Sequence, residues 1–458
     1  MGATGLTCAA SEMAEAGSVG IVLWLDRVPL RDERMSPEEI LVSESQERFL
    51  LVIEKGRENE AVQHFRIFGV EAAICGEVIA DDRFIARHRD RVVVDLPASL
   101  VAEGCPESRL SVADRLPAPE PYVDFERPQD LGGVLHALLR DPNVASQPRI
   151  YQRYDSTVGN RTVRGPGQAE AAVQALPSSV RGYALTITGR GDVCAADPYL
   201  GAKAALGEAC RNLACVGARL IAITDGLNMG SPTDPVENLR LSETIRGLAD
   251  GLGELGIPVT GGNVSLYNES PRGAIPPTPM IGAVGTLEDV RKVPDGYLNE
   301  GDRLFVLGEL DDSPTYSLYG NLMAERGRPH PDVALKQDRR LAGFLCDAVD
   351  QQLLQASKDA GRGCLAVALT KIAIGSIIGA DIDIEFDGRL DRALFGESSG
   401  LAWLAGRPED EERIVQLARS HGVPIQIAGR AGGQTVRIAG LFEADLDALR
   451  ESFYGVRS

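Results

Sequence analysis

Two stretches of this 458-residue chain, one near each end, run through the same succession of elements at a fixed offset. Near the N-terminus, Ser43-Glu44-Ser45-Gln46 precedes an apolar segment, Phe49 to Ile53, that reads as a strand. A helix follows, with Ala61, Phe65 and Phe68 on one face at i, i+4 and i+7. Then come Gly69-Val70, a second strand and Cys75-Gly76. Near the C-terminus, Gly396-Glu397-Ser398-Ser399 precedes a strand over Leu401 to Ala405, a helix over Glu411 to Ser420, Gly422-Val423, a strand and Ala428-Gly429. Glu44 to Glu397, Gly69 to Gly422 and Gly76 to Gly429 all share one step of 353 residues. Ahead of each copy, a turn runs into a helix of small residues: Gly5-Leu6-Thr7-Cys8-Ala9-Ala10 and Cys364-Leu365-Ala366-Val367-Ala368-Leu369. Three matching pairs, set among matching elements, make one domain type used twice.

The rest of the organisation follows. Prolines 106, 117, 119, 121 and 128 forbid regular helix or central strand and mark a linker. The expected domains are 1–110, a linker at 111–139, a different domain at 140–292 and the second copy at 293–458. The order is B–A–B, where a full tandem duplication reads A–B–A–B. The chain begins inside a glycine turn with no leading strand, so Met1 is expected to be an internal methionine or a fragment boundary.

Net charge is -19, and phosphate backbones need a basic face, so a nucleic-acid partner is not expected. No apolar run approaches the ~20 residues that span a bilayer, and the first residues lack a signal-peptide pattern. The eight cysteines are scattered without a CxxC pair, which reads as reduced core cysteines in a cytoplasmic protein without zinc. The five histidines (64, 88, 136, 330 and 421) show no metal-ligand or nucleophile spacing and read as surface or packing residues. Thr188-Gly189-Arg190-Gly191-Asp192 reads as a plain turn.

Candidate chemistry concentrates in the central domain. Asp197-Pro198 is an N-cap and first-turn pair opening a small-residue helix over Ala204 to Cys215. An apolar strand, Arg219 to Thr224, ends in Asp225-Gly226-Leu227-Asn228, and a carboxylate at a strand end is a common nucleotide or metal contact. A helix over Leu241 to Gly256 leads to Gly261-Gly262-Asn263-Val264-Ser265. Paired glycines let a backbone approach phosphate, Asn263 offers an oxygen suited to Mg²⁺, and Ser265 offers a hydroxyl. In the first copy, Glu44, Ser45 and Gln46 group hydrogen-bonding side chains at a domain edge; the second copy keeps the acid and serine but loses Gln and Arg. The alternatives are ordinary ones: a capped packing helix, an Asp-Gly turn and a solvated strand entry.

With these strings in hand, together with Pro29-Leu30-Arg31, Gly201-Ala202-Lys203, Ser43 through Arg48 and Gly262 through Glu269, the chain resembles the phosphoribosylformylglycinamidine synthases, in the form that works with separate partner subunits. The resemblance runs in order from residue 2 to about residue 440. It implies an α/β (α+β) fold of aminoimidazole-ribonucleotide-synthetase-like domains in B–A–B order, an incomplete tandem duplication. It implies an ATP- and Mg²⁺-dependent ligase that converts formylglycinamide ribonucleotide to its amidine, using ammonia from a glutaminase subunit, with a small accessory subunit as a further partner. The amide oxygen is taken to be phosphorylated and then displaced by ammonia. On matching positions, Glu44, Ser45, Gln46 and Ser265 would contact substrate, Asp225 and Gly262 would contact ATP, and Asn263 would ligate Mg²⁺.

The pattern also departs from the family. The family's catalytic histidines, its ATP-contacting lysine and its carboxylate Mg²⁺ ligands are expected ahead of Met1. The second copy reads Arg362-Gly363-Cys364 where Asp-Gly-Gly is usual, Lys371 where an acid is expected, and Ser399 where Gln is often found. Alongside the ligase stands a second reading, a non-catalytic nucleotide-binding or scaffold subunit.

Overall fold

The computed structural model describes residues 1–106, 109–117, 123–313, 316–323 and 333–455. Pro119, Pro121 and His330 lie outside the described residues. The chain divides into two compact units, Met1–Arg109 and Leu110–Ser458.

In the first unit the elements are α1 (Gly5–Ala16), β1 (Gly20–Trp24), α2 (Pro37–Val42), α3 (Glu58–Ile67), β2 (Gly76–Ile79), β3 (Phe84–His88), β4 (Arg91–Leu96) and α4 (Ala98–Glu103). The sheet order is β2-β1-β3-β4, with β1 antiparallel to β2 and parallel to β3. Leu6, Ala10 and Ala14 of α1 pack against Leu23, Ile40 and Phe84 to form the core. The turn into α1 is left-handed at Thr4 and Gly5, and a Cβ at Gly5 would lie 2.0 Å from the Ser43 carbonyl oxygen. Only glycine fits there. A reciprocal pair of hydrogen bonds between Ser36 and Glu39 opens α2.

The second unit begins with α5 (Leu131–Arg140) and α6 (Pro148–Tyr151). There follow β5 (Thr162–Arg164), β6 (Ala172–Ala175), β7 (Gly182–Gly189), α7 (Gly191–Ala196), α8 (Pro198–Cys215), β8 (Arg219–Asn228), α9 (Pro235–Leu255), β9 (Val259–Ser265), a small β10–β11 hairpin (Glu269–Ser270 and Gly273–Ala274) and β12 (Thr278–Leu287). Among the described residues these make a six-stranded sheet in the order β5-β6-β7-β12-β8-β9. Helices α8 and α9 cover one face, through Ala202, Ala205, Leu206, Leu248 and Leu252.

Next come β13 (Arg303–Leu307), α10 (Leu318–Leu322), α11 (Leu335–Asp350), β14 (Ala356–Asp359), α12 (Cys364–Ser376), β15 (Ala380–Ile382), α13 (Leu390–Phe395), β16 (Ala402–Gly406), α14 (Glu411–Ser420), β17 (Ile425–Ala431), β18 (Thr435–Ile438), β19 (Phe442–Asp445) and α15 (Leu446–Tyr454). The described strands form a second sheet in the order β14-β16-β13-β17-β15-β18-β19. Trp403 on β16 is fully buried and donates its indole N–H to the Leu365 carbonyl at 2.7 Å.

The two sheet systems of this unit meet at α8. The Asp197 side chain caps the helix by accepting from the Leu200 N–H at 2.9 Å. Further along the helix, Gly207 leaves room for a carboxylate from α11: a Cβ there would lie 2.3 Å from Asp338 Oδ2. Arg211 then donates to Asp338 at 2.6 Å and pairs with Asp359 of β14. A guanidinium buried this completely is tolerated only because two carboxylates receive it.

The repeat is visible element by element. The first-unit order β2-β1-β3-β4 matches β17-β15-β18-β19 in the second, with the same parallel and antiparallel senses. Helices α1, α2 and α3 match α12, α13 and α14. The exception corrects the sequence reading. Residues 49–53 are not a strand, although their counterpart β16 is. In the second copy, β16 lies between β13 and β14 and is buried throughout. The first unit has neither neighbour, so its segment stays unpaired, with Phe49 85% and Leu51 53% exposed. Nor are residues 70–75 a strand; pairing there begins at Gly76. Between Glu103 and Leu131 the described residues hold no helix or extended strand.

The two copies supply an internal control. Leu404 is fully buried and its counterpart is Leu51. Leu404→Ala is expected to cost about 2–5 kcal/mol of the second unit's stability, and Leu51→Ala less than about 0.5 kcal/mol of the first. Urea unfolding followed by hydrogen exchange in each unit measures both; equal effects would show that residues 49–53 are packed.

Candidate functional site

The central-domain motifs come together along one edge of the six-stranded sheet. Strand β8 runs through Asp225 to Asn228, so Asp225 sits within a strand and not in the loop that the sequence suggests. Strand β9 likewise includes Gly262 and Asn263. Both corrections have one cause: β8 and β9 pair in parallel, with Asp225 opposite Gly262, Gly226 opposite Asn263 and Asn228 opposite Ser265. That pairing keeps the backbone extended past the glycines.

Pairing decides which side chains share a face, because neighbours along a strand alternate. Asp225 lies on the helix-covered face, with Ile223 and Leu227 along its own strand and buried Ile281 beside it on β12. Its partner Gly262 faces the carboxylate closely, and a Cβ there would stand 2.6 Å from Asp225 Oδ1. Partial burial raises the Asp225 carboxyl above the usual aspartate range. Asn263 and Ser265 point to the opposite face. Ser265 is tied to the following loop, where Asn268 Nδ2 donates to its carbonyl at 2.9 Å and to its hydroxyl at 3.2 Å. The motif therefore divides into a carboxylate–glycine pair and an amide–hydroxyl pair, on two sides of an exposed edge strand.

This geometry bears on a cation. Among the described residues no cluster of three His, Cys, Asp or Glu is placed to hold a metal. Asn263 offers one hard oxygen, and Asp225 faces the other side, so the two do not share an ion. The site fits a Mg²⁺ ion that draws its remaining oxygens from a bound phosphate and water, and does not fit an all-protein cage.

In the first unit, Glu44, Ser45 and Gln46 form a loop braced by its own side chains. Glu44 Oε1 accepts from the Thr4 N–H at 2.9 Å, and Gln46 Nε2 donates to the Glu44 carbonyl at 2.8 Å. The Ser43 and Ser45 hydroxyls lie 3.0 Å apart, and Arg48 Nε donates to the Ser45 carbonyl at 3.0 Å. The second copy repeats the first of these contacts: Glu397 Oε1 accepts from the Gly363 N–H at 3.1 Å, at the residue that precedes α12. There the other carboxylate oxygen receives Arg190 at 2.7 Å. The acid common to both copies thus holds down the left-handed turn that starts the small-residue helix.

Sequence reading missed a charged cavity of about 160 Å³ in the second unit. Glu170, Glu208, Lys358, Asp359, Arg362 and Lys371 line it. Lys358 pairs with Glu170, and Arg362 with Asp192 at 2.7 Å. Burial pushes the Lys371 ammonium down to about 8, and neighbouring Lys358 adds to the effect. Arg190 and Asp192, read as turn residues, belong to this network; Gly191 starts α7. The departures at Arg362 and Lys371 were the available signal.

Comparison with known proteins bears on the whole chain. The AIR synthase related protein C-terminal domain matches residues 1–89 and 299–439, just over half of the chain, and the N-terminal domain of the same group matches residues 168–287. The subunit PurL of phosphoribosylformylglycinamidine synthase from Moorella thermoacetica is 38% identical over 98% of this chain and 62% of its own length. That of a Synechococcus species is 41% identical over 99% of this chain and 65% of its own. The chain therefore spans somewhat under two thirds of the length of these relatives. Thermotoga maritima PurL complexed with ATP superposes with a TM-score of 0.62 at 24% identity, covering 94% of this chain and 63% of that one. The same protein complexed with FGAR gives 0.63 at 24% identity, covering 94% and 61%. Two matches to one domain type flank one match to the other, the B–A–B order that the repeat predicts, and the chain belongs to the AIR synthase related protein family.

Proposed function

We propose that this chain is the larger part of a phosphoribosylformylglycinamidine synthase. In that role it converts formylglycinamide ribonucleotide to formylglycinamidine ribonucleotide with ATP, Mg²⁺ and glutamine-derived ammonia. The observation that carries this reading is similarity to PurL subunits over 98–99% of the chain, in unbroken order. A glutaminase subunit and a small accessory subunit are the proposed partners. The proposed location is the cytoplasm; among the described residues no helix is long and apolar enough to cross a membrane.

The chemistry asks for positioning. An amide oxygen is a poor leaving group until phosphorylated, and phosphoryl transfer is catalysed mainly by alignment and charge neutralisation. Bound Mg²⁺ supplies charge neutralisation at the phosphates, with Asn263 as its protein ligand in this unit. Gly262 lets the nucleotide approach the backbone, and Asp225 fixes it from the same side. Ser265 orients substrate from the opposite side of the edge strand. Glu44, Ser45 and Gln46 hold the substrate's polar groups, with Glu44 keeping one oxygen on the Thr4 N–H. The proposed domains are 1–110, 140–292 and 293–458, joined by a linker at 111–139.

One observation favours the second reading, a non-catalytic nucleotide-binding or scaffold subunit. The charged cavity is lined by cations and carboxylates that pair with one another, Lys358 with Glu170 and Arg362 with Asp192, as in a neutralised structural core.

Two experiments test the assignment. The chain combined with the portion of the Moorella thermoacetica subunit outside its match should release ADP only when formylglycinamide ribonucleotide and ammonium are both present. Asn263→Ala and Asp225→Ala should each lower kcat/KM by roughly tenfold or more. Nucleotide binding without turnover in that assembly would leave the scaffold reading.

The second concerns Asp225 alone. Its raised carboxyl loses its charge at higher pH than an ordinary aspartate, so the Asp225-dependent part of the affinity for MgATP should be lost on acidification at a higher pH than an unperturbed aspartate would give. Asp225→Asn should weaken binding and abolish this component. Gly262→Ala should weaken binding with an unchanged circular dichroism spectrum. Calorimetric titrations across the acid range read all three; an unaltered profile in Asp225→Asn would remove Asp225 from the nucleotide site.

A further inference from the structure

The face of the sheet that carries Asn263 and Ser265 also carries Asn228, because Asn228 stands opposite Ser265 in the parallel β8–β9 pair. Its amide is fixed by its donors. Asn228 Nδ2 donates to the Gly226 carbonyl at 3.0 Å and to the Thr278 carbonyl of β12 at 3.2 Å. A carbonyl can only accept, so both N–H groups are committed and the amide oxygen is turned away from them. Among the described residues that oxygen accepts no hydrogen bond. Ser265 is fixed in the complementary sense. Asn268 Nδ2 lies 3.0 Å from the Met229 carbonyl, 2.9 Å from the Ser265 carbonyl and 3.2 Å from the Ser265 hydroxyl. Two carbonyls beside one end of an amide require that end to be the nitrogen. The Ser265 oxygen therefore accepts from Asn268, and its own O–H turns elsewhere. The acceptor it finds within the chain is Asn268 Oδ1 at 3.4 Å, a long contact that a closer ligand oxygen displaces. Between these side chains the floor is open. Gly226 stands opposite Asn263, and the nearest atom to a Cβ there would be Met280 Cβ, 3.8 Å away.

Asn228 and Ser265 thus present one fixed acceptor and one fixed donor side by side on neighbouring strands. A phosphate or a carboxylate matches only half of this pair, since it would set a second oxygen against the Asn228 oxygen. An extended glycyl unit matches both halves, because its N–H and its C=O leave on the same side, as they do along the edge of a strand. Formylglycinamide ribonucleotide, the substrate on the synthase reading that this assignment rests on, contains such a unit: the formamide N–H and the glycinamide C=O flank one methylene. We propose that Asn228 and Ser265 together recognise this glycyl unit, Ser265 donating to the glycinamide oxygen and Asn228 accepting from the formamide N–H, with Asn268 as the positioning residue that leaves the Ser265 proton free for that bond. The turn that carries Asn268 is held in one shape. Leu266 packs into the helix-covered core on the other face, and Tyr267 is kept at a left-handed φ of 62°.

The test uses the full chain combined with the portion of the Moorella thermoacetica subunit outside its match, assayed with formylglycinamide ribonucleotide and with an analogue bearing a methylene in place of the formamide N–H. Asn228→Ala and Ser265→Ala should each raise the KM for formylglycinamide ribonucleotide roughly tenfold and leave that for ATP within about twofold. Ser265→Thr, which keeps the hydroxyl, should restore it. The unaltered chain should bind the analogue roughly tenfold more weakly than the substrate, and Asn228→Ala should bind the two about equally. Asn268→Ala should match Ser265→Ala, and adding it to Ser265→Ala should change KM by less than about twofold, because the two act as a unit. Equal binding of analogue and substrate by the unaltered chain, or discrimination that survives Asn228→Ala, overturns the Asn228 contact. Additive effects of Asn268→Ala and Ser265→Ala overturn the positioning role. An unaltered assembly without turnover refutes the synthase reading and this assignment with it, whereas the preceding results refute the assignment alone.

Discussion

Arg211 is the residue on which the larger unit turns. It sits fully buried within α8, between one carboxylate from α11 and another from β14. The guanidinium comes from a helix that covers the six-stranded sheet and one of its carboxylates from the seven-stranded sheet, so neither layer can shift without stranding a charge in the interior. Small residues make this arrangement possible. Gly207 admits the carboxylate, and the alanines of α8 let the helix lie close to the sheet. The nearby pairs Arg190–Glu397 and Lys358–Glu170 extend the same solution across residues far apart in sequence.

The sequence shows clearly those features whose causes are local. The helix Glu411–Ser420 has the expected bounds, because apolar spacing and flanking turns decide them. The Asp197-Pro198 cap is likewise a matter of adjacent residues. Residues 49–53 carry an equally good strand pattern and are not a strand. Periodicity states what a segment is suited to, while pairing needs a neighbour that this unit does not contain. The same limit hid the extension of β8 through Asp225 and of β9 through Gly262, since each is extended by the other.

At the candidate site, residue identity was legible and facing was not. Asp225, Gly262, Asn263 and Ser265 are all close along one sheet edge, yet register divides them between two faces. The charged cavity was hidden for a different reason. Its pairs join positions 170 or more residues apart, such as Arg362 with Asp192, and spacing rules do not reach that far. What the sequence did offer was a pair of basic residues, Arg362 and Lys371, at positions where acids were expected.

The unpaired run Phe49-Leu50-Leu51-Val52-Ile53 has a consequence for the chain's behaviour at high concentration. Five consecutive uncharged, strongly apolar residues beside an open sheet edge are the composition from which intermolecular β-aggregates grow. The residues bordering the run answer this directly. Arg48 stands on one side, with Glu54 and Lys55 on the other, and Arg57 and Glu60 form an exposed ion pair at the start of the next helix. Charges in those places act as gatekeepers, making the stacking of identical segments costly in desolvation and repulsion while leaving the run itself apolar. The run is thus bordered by charge at both of its ends.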